Sequence, residues 1–259
     1  MNTLSLGFGP VEADLWRLLF AMTRIGAAML AVPLFGSASV PMQLRVILAG
    51  AIAALVITWT PVAVPHALFS LAGLIACLRE VLVGLALGFV LQLSFAAPVI
   101  AAEVIGGGIG MNLAASVDPG TGARSPVLGQ FLGVLMTLSF LGLGAHLAWI
   151  ALIVESYKAF PPGGTWLGPE TIHTLLGFAG EMFAAAVAIA LPVTLVLLVV
   201  QVVTGIVSRS APSLNLFALG LPASVLAGLA ALIAAVPLLG DRFADLTIAA
   251  VTQAGAMLR

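Results

Sequence analysis

Charge is what this sequence has least of. Nine lysines and arginines stand against ten aspartates and glutamates, and charged residues are 7% of the 259, where soluble domains carry about 25%. The formal net charge of −1 supplies neither a basic footprint for nucleic acid nor an acidic tail. Lysine is nearly absent too: Lys158 stands alone and lacks the glycine frame of a phosphate-binding loop. Cys77 is the single cysteine, which excludes an internal disulfide and a cysteine metal site. His66, His146 and His173 form no metal spacing, and no HExxH is present. The triple glycine is not a dinucleotide fingerprint, because the spacing from Gly106 and Gly108 lands on Met111. Asp118 precedes Pro119 and suits a turn better than a catalytic acid. The reading is of a non-enzyme with no cofactor and no metal. A secretory signal is not expected either: Glu12 and Asp14 precede the first apolar run where a basic region belongs, and Arg24 interrupts it.

What remains is apolar. Hydrophobic residues make up 62% and mean hydropathy is +1.23, more than a soluble core of this size can hide but what a bilayer can cover. The fold class expected is an all-α integral membrane protein of about six long, partly kinked hydrophobic helices, with a central glycine-rich plug loop and a C-terminal amphipathic helix. The apolar runs are residues 15–35, 46–64, 81–100, 127–154, 175–207 and 216–239. Before the third, residues 68–78 form either a short interfacial piece or the start of one long helix through Arg79 and Glu80. The fifth holds Pro192 at its middle, which predicts a bent helix or a helical pair. After the sixth, residues 241–259 place Phe243, Leu246, Ala250, Val251, Ala254 and Leu258 on one helical face, as in a tail packed on a partner or an interface. Basic residues divide almost evenly between the two sides of such a model, Arg45, Arg124 and Arg209 against Arg17, Arg79, Lys158, Arg242 and Arg259. That small excess puts both termini in the cytoplasm. The near-even division itself hints that some helices are not ordinary spans.

The longest break in the apolar sequence is residues 101–126. It carries Gly106, Gly107, Gly108 and Gly110, then Met111, then Pro119, Gly120 and Gly122. Each glycine inside a helix costs about 0.5–1 kcal/mol relative to alanine, so the stretch is expected not to hold a stable helix. Backbone freed at membrane depth must be covered by protein or line a water-filled cavity. A re-entrant or plug-like segment follows, in which Gly106 to Gly110 give tight packing and rearrangement, Met111 gives an adaptable apolar seal, and Asp118 with Pro119 fixes the return turn.

Few ionisable residues lie within the apolar runs. Arg24, Glu80, Glu103, His146 and Glu181 are costly in lipid and must face protein, water or a partner. They read either as an ion or proton relay or as structurally paired charges. Pairing is favoured, because no two acids stand at i,i+4 on one helix. Glu181, alone inside a long helix, is the best placed for function. Gly84 with Gly88 and Gly129 with Gly133 have the spacing that lets helix backbones approach closely.

The order of motifs resembles the FliR/SctT family of the type III export apparatus. RIGAAMLAVPLFGSASVPMQLRVILA, beginning at Arg24, is similar to that family's opening, and REVLVGLALGF, beginning at Arg79, to its acidic helix start and glycine-spaced continuation. The stretch from Glu103, with VDPG at residues 117–120, resembles its glycine-rich loop. GIVSRSAPSLNLFALGLP, beginning at Gly205, resembles its Arg-x-x-Pro-x-x-Asn signature, here Arg209, Pro212 and Asn215. Ser213 stands where the family pattern has glutamine, and no basic residue follows Pro222.

The resemblance implies a component of the flagellar export gate in the bacterial inner membrane, at the flagellar basal body. It implies FliP-like, FliQ-like and FlhB-like partner subunits, with unfolded flagellar proteins as the substrates exported. It also implies a FliP-like part over residues 1–154, a polar linker over 155–174, and a FliQ-like hairpin with its tail over 175–259. On that reading the glycine loop closes the pore at rest, and Arg209, Pro212 and Asn215 form a structural turn with a partner contact. Lipid is the other partner, and no nucleic acid is expected. The alternative from another class is a secondary transporter whose binding site lies at the glycine-interrupted segment. It expects a matching interruption in the second half, which has Pro192 but no second glycine cluster.

Overall fold

A computed structural model describes residues 10–65, 70–110, 126–162, 168–210 and 216–258. Among them the secondary structure is helical throughout. In chain order the helices are α1 (Pro10–Ala31), the single turn α2 (Pro33–Gly36), α3 (Met42–Trp59), α4 (Leu71–Ile109), α5 (Pro126–Gly142), α6 (Ala145–Ala159), α7 (Pro169–Ser210) and α8 (Leu216–Ala256). Proline does the punctuating. Pro10, Pro33, Pro126 and Pro169 each open a helix, where the missing N–H is unpaired in any case and the fixed φ is already helical. Thr60, at the end of α3, is extended, as the residue before Pro61 should be.

Among the described residues, four helices are long and apolar enough to cross a membrane: Met42–Trp59, Leu71–Ile109, Thr171–Ser210 and Gly220–Ala256. A fifth crossing is available if Val127–Gly142 and Ala145–Ala159, bent by 68° at their junction, act as one broken span. The chain is thus an all-α, multi-pass membrane protein. The first apolar run is not among the four, because Glu12, Asp14, Arg17 and Arg24 interrupt α1.

The structure settles two open local readings and changes others. Of the two readings before the third run, the long helix holds, since Leu71–Ile109 is one helix through Arg79 and Glu80. The run 127–154 is broken at Gly144, whose φ of +68° is left-handed and costs glycine little. The fifth run is a single helix through Pro192, and the sixth joins the C-terminal tail as one helix through Pro222 and Pro237. In lipid, opening a helix exposes several backbone groups and proline removes only one bond, so the helix persists. The glycine stretch is the largest correction. Gly106, Gly107 and Gly108 lie inside α4, and the helix ends only at Ile109. The remainder of the proposed plug, with Met111, Asp118 and Pro119, falls outside the described residues, as do Pro212 and Asn215.

The three long helices are longer than a bilayer is thick. At 1.5 Å per residue, 39, 42 and 41 residues reach about 58, 63 and 62 Å, against a hydrocarbon core of about 30 Å. The usual tilt of about 20° removes little of that excess. Each helix therefore extends beyond the core.

The chain divides into two compact units. One comprises Met1–Leu93, Gly144–Phe178 and Ile248–Arg259, the other Ser94–Leu143 and Ala179–Thr247. In the first, Phe20, Ala21, Ile25, Ala28 and Met29 make the buried stripe of α1, at spacings of three and four. In the second, Met182, Ala186, Ile189, Ala190, Val193 and Leu197 do the same for α7, and Phe95 meets Phe140 edge to face at 5.5 Å. In each unit α7 and α8 touch. Gln253 Nε2 donates to the Thr174 carbonyl at 3.3 Å in the first, and Gly228 faces Leu197 in the second. The apolar face of the C-terminal tail is covered by the chain itself, with Phe243, Leu246, Ala250 and Ala254 all buried. It is not a separate amphipathic helix.

Candidate functional site

Two places concentrate polar groups inside this apolar chain. The first is built on Arg24, in the first unit. Gly84 and Gly88 bring α4 against α1 so closely that a β-carbon on Gly84 would collide with the Arg24 carbonyl oxygen. One on Gly88 would lie 2.5 Å from Ala31 Cβ. That approach leaves room for Glu80, one turn before Gly84, to reach Arg24. Arg24 Nε donates to Glu80 Oε2 at 2.8 Å, with both residues almost wholly buried, at 1% and 2% exposure.

The rest of the guanidinium is committed to the end of α6. Nη1 donates to the Ser156 carbonyl at 2.8 Å and to Ser156 Oγ at 3.1 Å, and Nη2 donates to the Phe160 carbonyl at 2.9 Å. These carbonyls belong to the last turn and cap of α6, where a positive charge suits the dipole, and the Ser156 carbonyl also accepts from the Phe160 N–H at 2.8 Å. The guanidinium also lies 4.2 Å from the centre of the Tyr157 ring, a desolvated cation–π contact. Tyr157 Oη donates back to the Ala21 carbonyl at 2.6 Å. Half a helix away, Trp149 Nε1 donates to the Leu87 carbonyl at 3.3 Å, and the indole stacks on Phe35 with ring centres 6.0 Å apart. Four hydrogen bonds from one planar cation, one of them to a carboxylate, together with a ring face, make a tie. Its chemistry is to join α1, α4 and α6 through one residue.

The second place is the end of α4, in the second unit. Gln201 Nε2, on α7, donates to the Gly108 carbonyl at 3.0 Å, satisfying one of the carbonyls that a helix C-terminus leaves without a helical partner. A β-carbon on Gly108 would lie 3.0 Å from Leu197 Cδ1. One on Gly228, on α8, would lie 2.6 Å from Ile109 Cγ1. Gly110 follows with φ of +88°, and its N–H reaches the Gly107 carbonyl at 3.1 Å. The glycines here admit neighbouring side chains to the α4 backbone, which is why the helix survives them.

Of the residues singled out in sequence, the structure brings Arg24 and Glu80 together, 56 positions apart. Glu103 is half-buried on α4, while Glu181 and Arg209 are exposed on α7. Gly106 is buried, Gly107 exposed, and Gly108 and Gly110 half-buried. Of the two glycine pairs, Gly84 with Gly88 makes the close approach, whereas Gly133 has open space. Sequence reasoning missed Ser156, Tyr157, Trp149 and Gln201. Tyr157 is the sole tyrosine of the chain, and a lone phenol in so apolar a sequence is a signal that a polar partner lies inside.

Comparison with known proteins covers both places. The model of the family described as bacterial export proteins, family 1, matches residues 15–249. The flagellar biosynthetic protein FliR of Escherichia coli (strain K12) is 32% identical over 224 residues, covering 86% of this chain and 84% of that protein. Proteins of the same name from Aquifex aeolicus (strain VF5) and Bacillus subtilis (strain 168) are each 32% identical. The first covers 88% of both chains, the second 80% of this chain and 81% of its own.

Proposed function

The chain belongs to the bacterial export proteins, family 1, and from that premise we propose that it is a non-catalytic subunit of a flagellar type III protein export gate. The observation that carries this reading is the extent of the likeness, which takes in most of the chain and most of each FliR relative. On this reading the protein sits in the bacterial inner membrane at the flagellar basal body. FliP-like and FliQ-like subunits complete the pore with it, an FlhB-like subunit adjoins them, and unfolded flagellar proteins pass through. The FliP-like part is residues 1–154 and the FliQ-like hairpin residues 175–259, joined by the polar linker 155–174. The contact of α7 with α8 within each unit supports the hairpin.

Helices twice as long as a bilayer core is thick suit a subunit standing partly beyond the membrane. The glycine stretch keeps its proposed share in closing the pore. The backbone chemistry supports a fixed end at Gly108, held by Gln201, and a left-handed exit at Gly110. Arg24 and Glu80 serve as a tie and not as a proton relay, since hydrogen bonds and charge are both satisfied within it.

Deleting the gene from its source bacterium tests the function. We expect flagellar filament protein to vanish from the culture medium, to accumulate in the cell, and to return when the gene is resupplied. Undiminished export in the deletion strain would overturn the reading.

A further inference from the structure

α7 carries a single carboxamide, Gln201, among side chains that are apolar and exposed: Val199, Val202, Val203 and Ile206. An amide on so apolar a helix is costly unless it finds a partner. Gln201 gives its N–H to the Gly108 carbonyl, 93 positions earlier in the chain. That carbonyl stands in the last turn of α4, where a helix leaves its own carbonyls without helical partners.

The turn held in this way has the least helical sequence of α4. Gly106, Gly107 and Gly108 follow one another there, and glycine favours helix less than any residue but proline. Gly110 then turns left-handed, with its N–H on the Gly107 carbonyl. Side-chain contact at this turn comes from Leu197 beside Gly108 and from Ile109 beside Gly228. The Gln201 bond is neutral and exposed, unlike the buried ion pair at Arg24. It breaks and re-forms without stranding a charge, and a bond of this kind shifts an equilibrium about fivefold.

We propose that Gln201 is a positioning residue of the gate. It keeps Gly106 to Ile109 helical, and so fixes the point from which the glycine stretch leaves α4. When the bond breaks, this turn unwinds. Four residues then pass from 1.5 Å to about 3.3 Å of rise each, which lengthens the free stretch by about 7 Å. Gln201 thus sets how far the stretch reaches. Backbone opened at membrane depth needs a water-lined space, which a pore supplies, and the inference therefore rests on the export-gate reading.

The test uses the full chain in its assembled complex. Gln201→Met keeps the length and helix propensity of the side chain and removes the donor. Hydrogen exchange, followed by mass spectrometry, should quicken about fivefold in the peptide holding Gly108, Ile109 and Gly110, the scale of one neutral hydrogen bond. Exchange around Trp149 should not change. The inner membrane of cells carrying the variant complex should leak ions. Adding Gly107→Ala, which favours helix at an exposed position, should slow the exchange again and stop the leak, a rescue that a general loss of structure does not allow. Gly107→Ala alone should slow exchange about fivefold, a result that does not depend on whether Gln201→Met assembles. Exchange indifferent to either substitution would overturn the proposal and leave the gate reading untouched. Faster exchange behind a tight membrane would overturn the share of Gln201 in closing. Deleting Gly106 to Gly110 then separates the two failures: a leak leaves the glycine stretch as the seal, and a tight membrane overturns that reading as well.

Discussion

Arg24 is the residue on which the first unit most depends. Its planar fork reaches a carboxylate and two carbonyls at once. Removing one partner of such a buried pair costs about 3–5 kcal/mol, because the other charge is left without compensation. Glu80→Ala and Arg24→Leu should therefore each destabilise the purified protein strongly in thermal unfolding. The double variant should lose much less than the sum, with a remainder from the freed carbonyls of Ser156 and Phe160. Additive losses would show that the pair does not act as a unit. Arg24→Lys should not rescue, since an ammonium keeps the charge and forfeits the fork. Sequence made both charges conspicuous, as ions in apolar runs always are. It left their union invisible, because 56 positions separate them. The role of Ser156 and Phe160 was more hidden still: backbone carbonyls carry no signature in a sequence.

At the scale of the element, glycine has three different meanings in one chain. Gly84 and Gly88 allow α1 and α4 to meet backbone to backbone. Gly144 and Gly110 supply left-handed turns. Gly106 to Gly108 do neither, and remain helical because neighbouring side chains and Gln201 hold that end of α4. Composition alone argues for a broken helix at residues 106–108, since propensity counts glycine as a cost and does not see what packs against it. Pro192, Pro222 and Pro237 likewise lie inside helices, where lipid leaves the chain little choice but to stay helical. The distinction between glycines is testable in one pair of variants. Gly84→Ala should destabilise by about 1–3 kcal/mol, because its methyl group meets backbone that can yield only by separating two helices. Gly133→Ala, with nothing within 4 Å, should be neutral or more stable by up to about 1 kcal/mol. Equal effects in thermal unfolding would remove the assignment of Gly84 to helix contact.

For the whole molecule, the apolar balance, the helical class and the family resemblance were legible from residues 24–49, 79–89 and 205–222 together with composition. The number of crossings was not. A rule of about 20 residues per span treats every apolar run as a membrane helix, but α1 carries too many charges, and α4, α7 and α8 are too long to be simple spans. The same excess length explains why basic residues fail to divide clearly between two sides: the rule presumes loops at the membrane surface, and long helices carry their ends away from it. A chain with so much exposed apolar helix, Leu226, Ile233, Val199 and Ile206 among it, is built to be surrounded by lipid and by other subunits.

Native mass spectrometry on the chain co-expressed with FliP-like and FliQ-like membrane subunits tests that claim most directly. We predict one copy of this chain held in a complex with several copies of the others, and no stable species of the chain alone. A self-sufficient monomer or dimer that ignores those subunits would contradict the account.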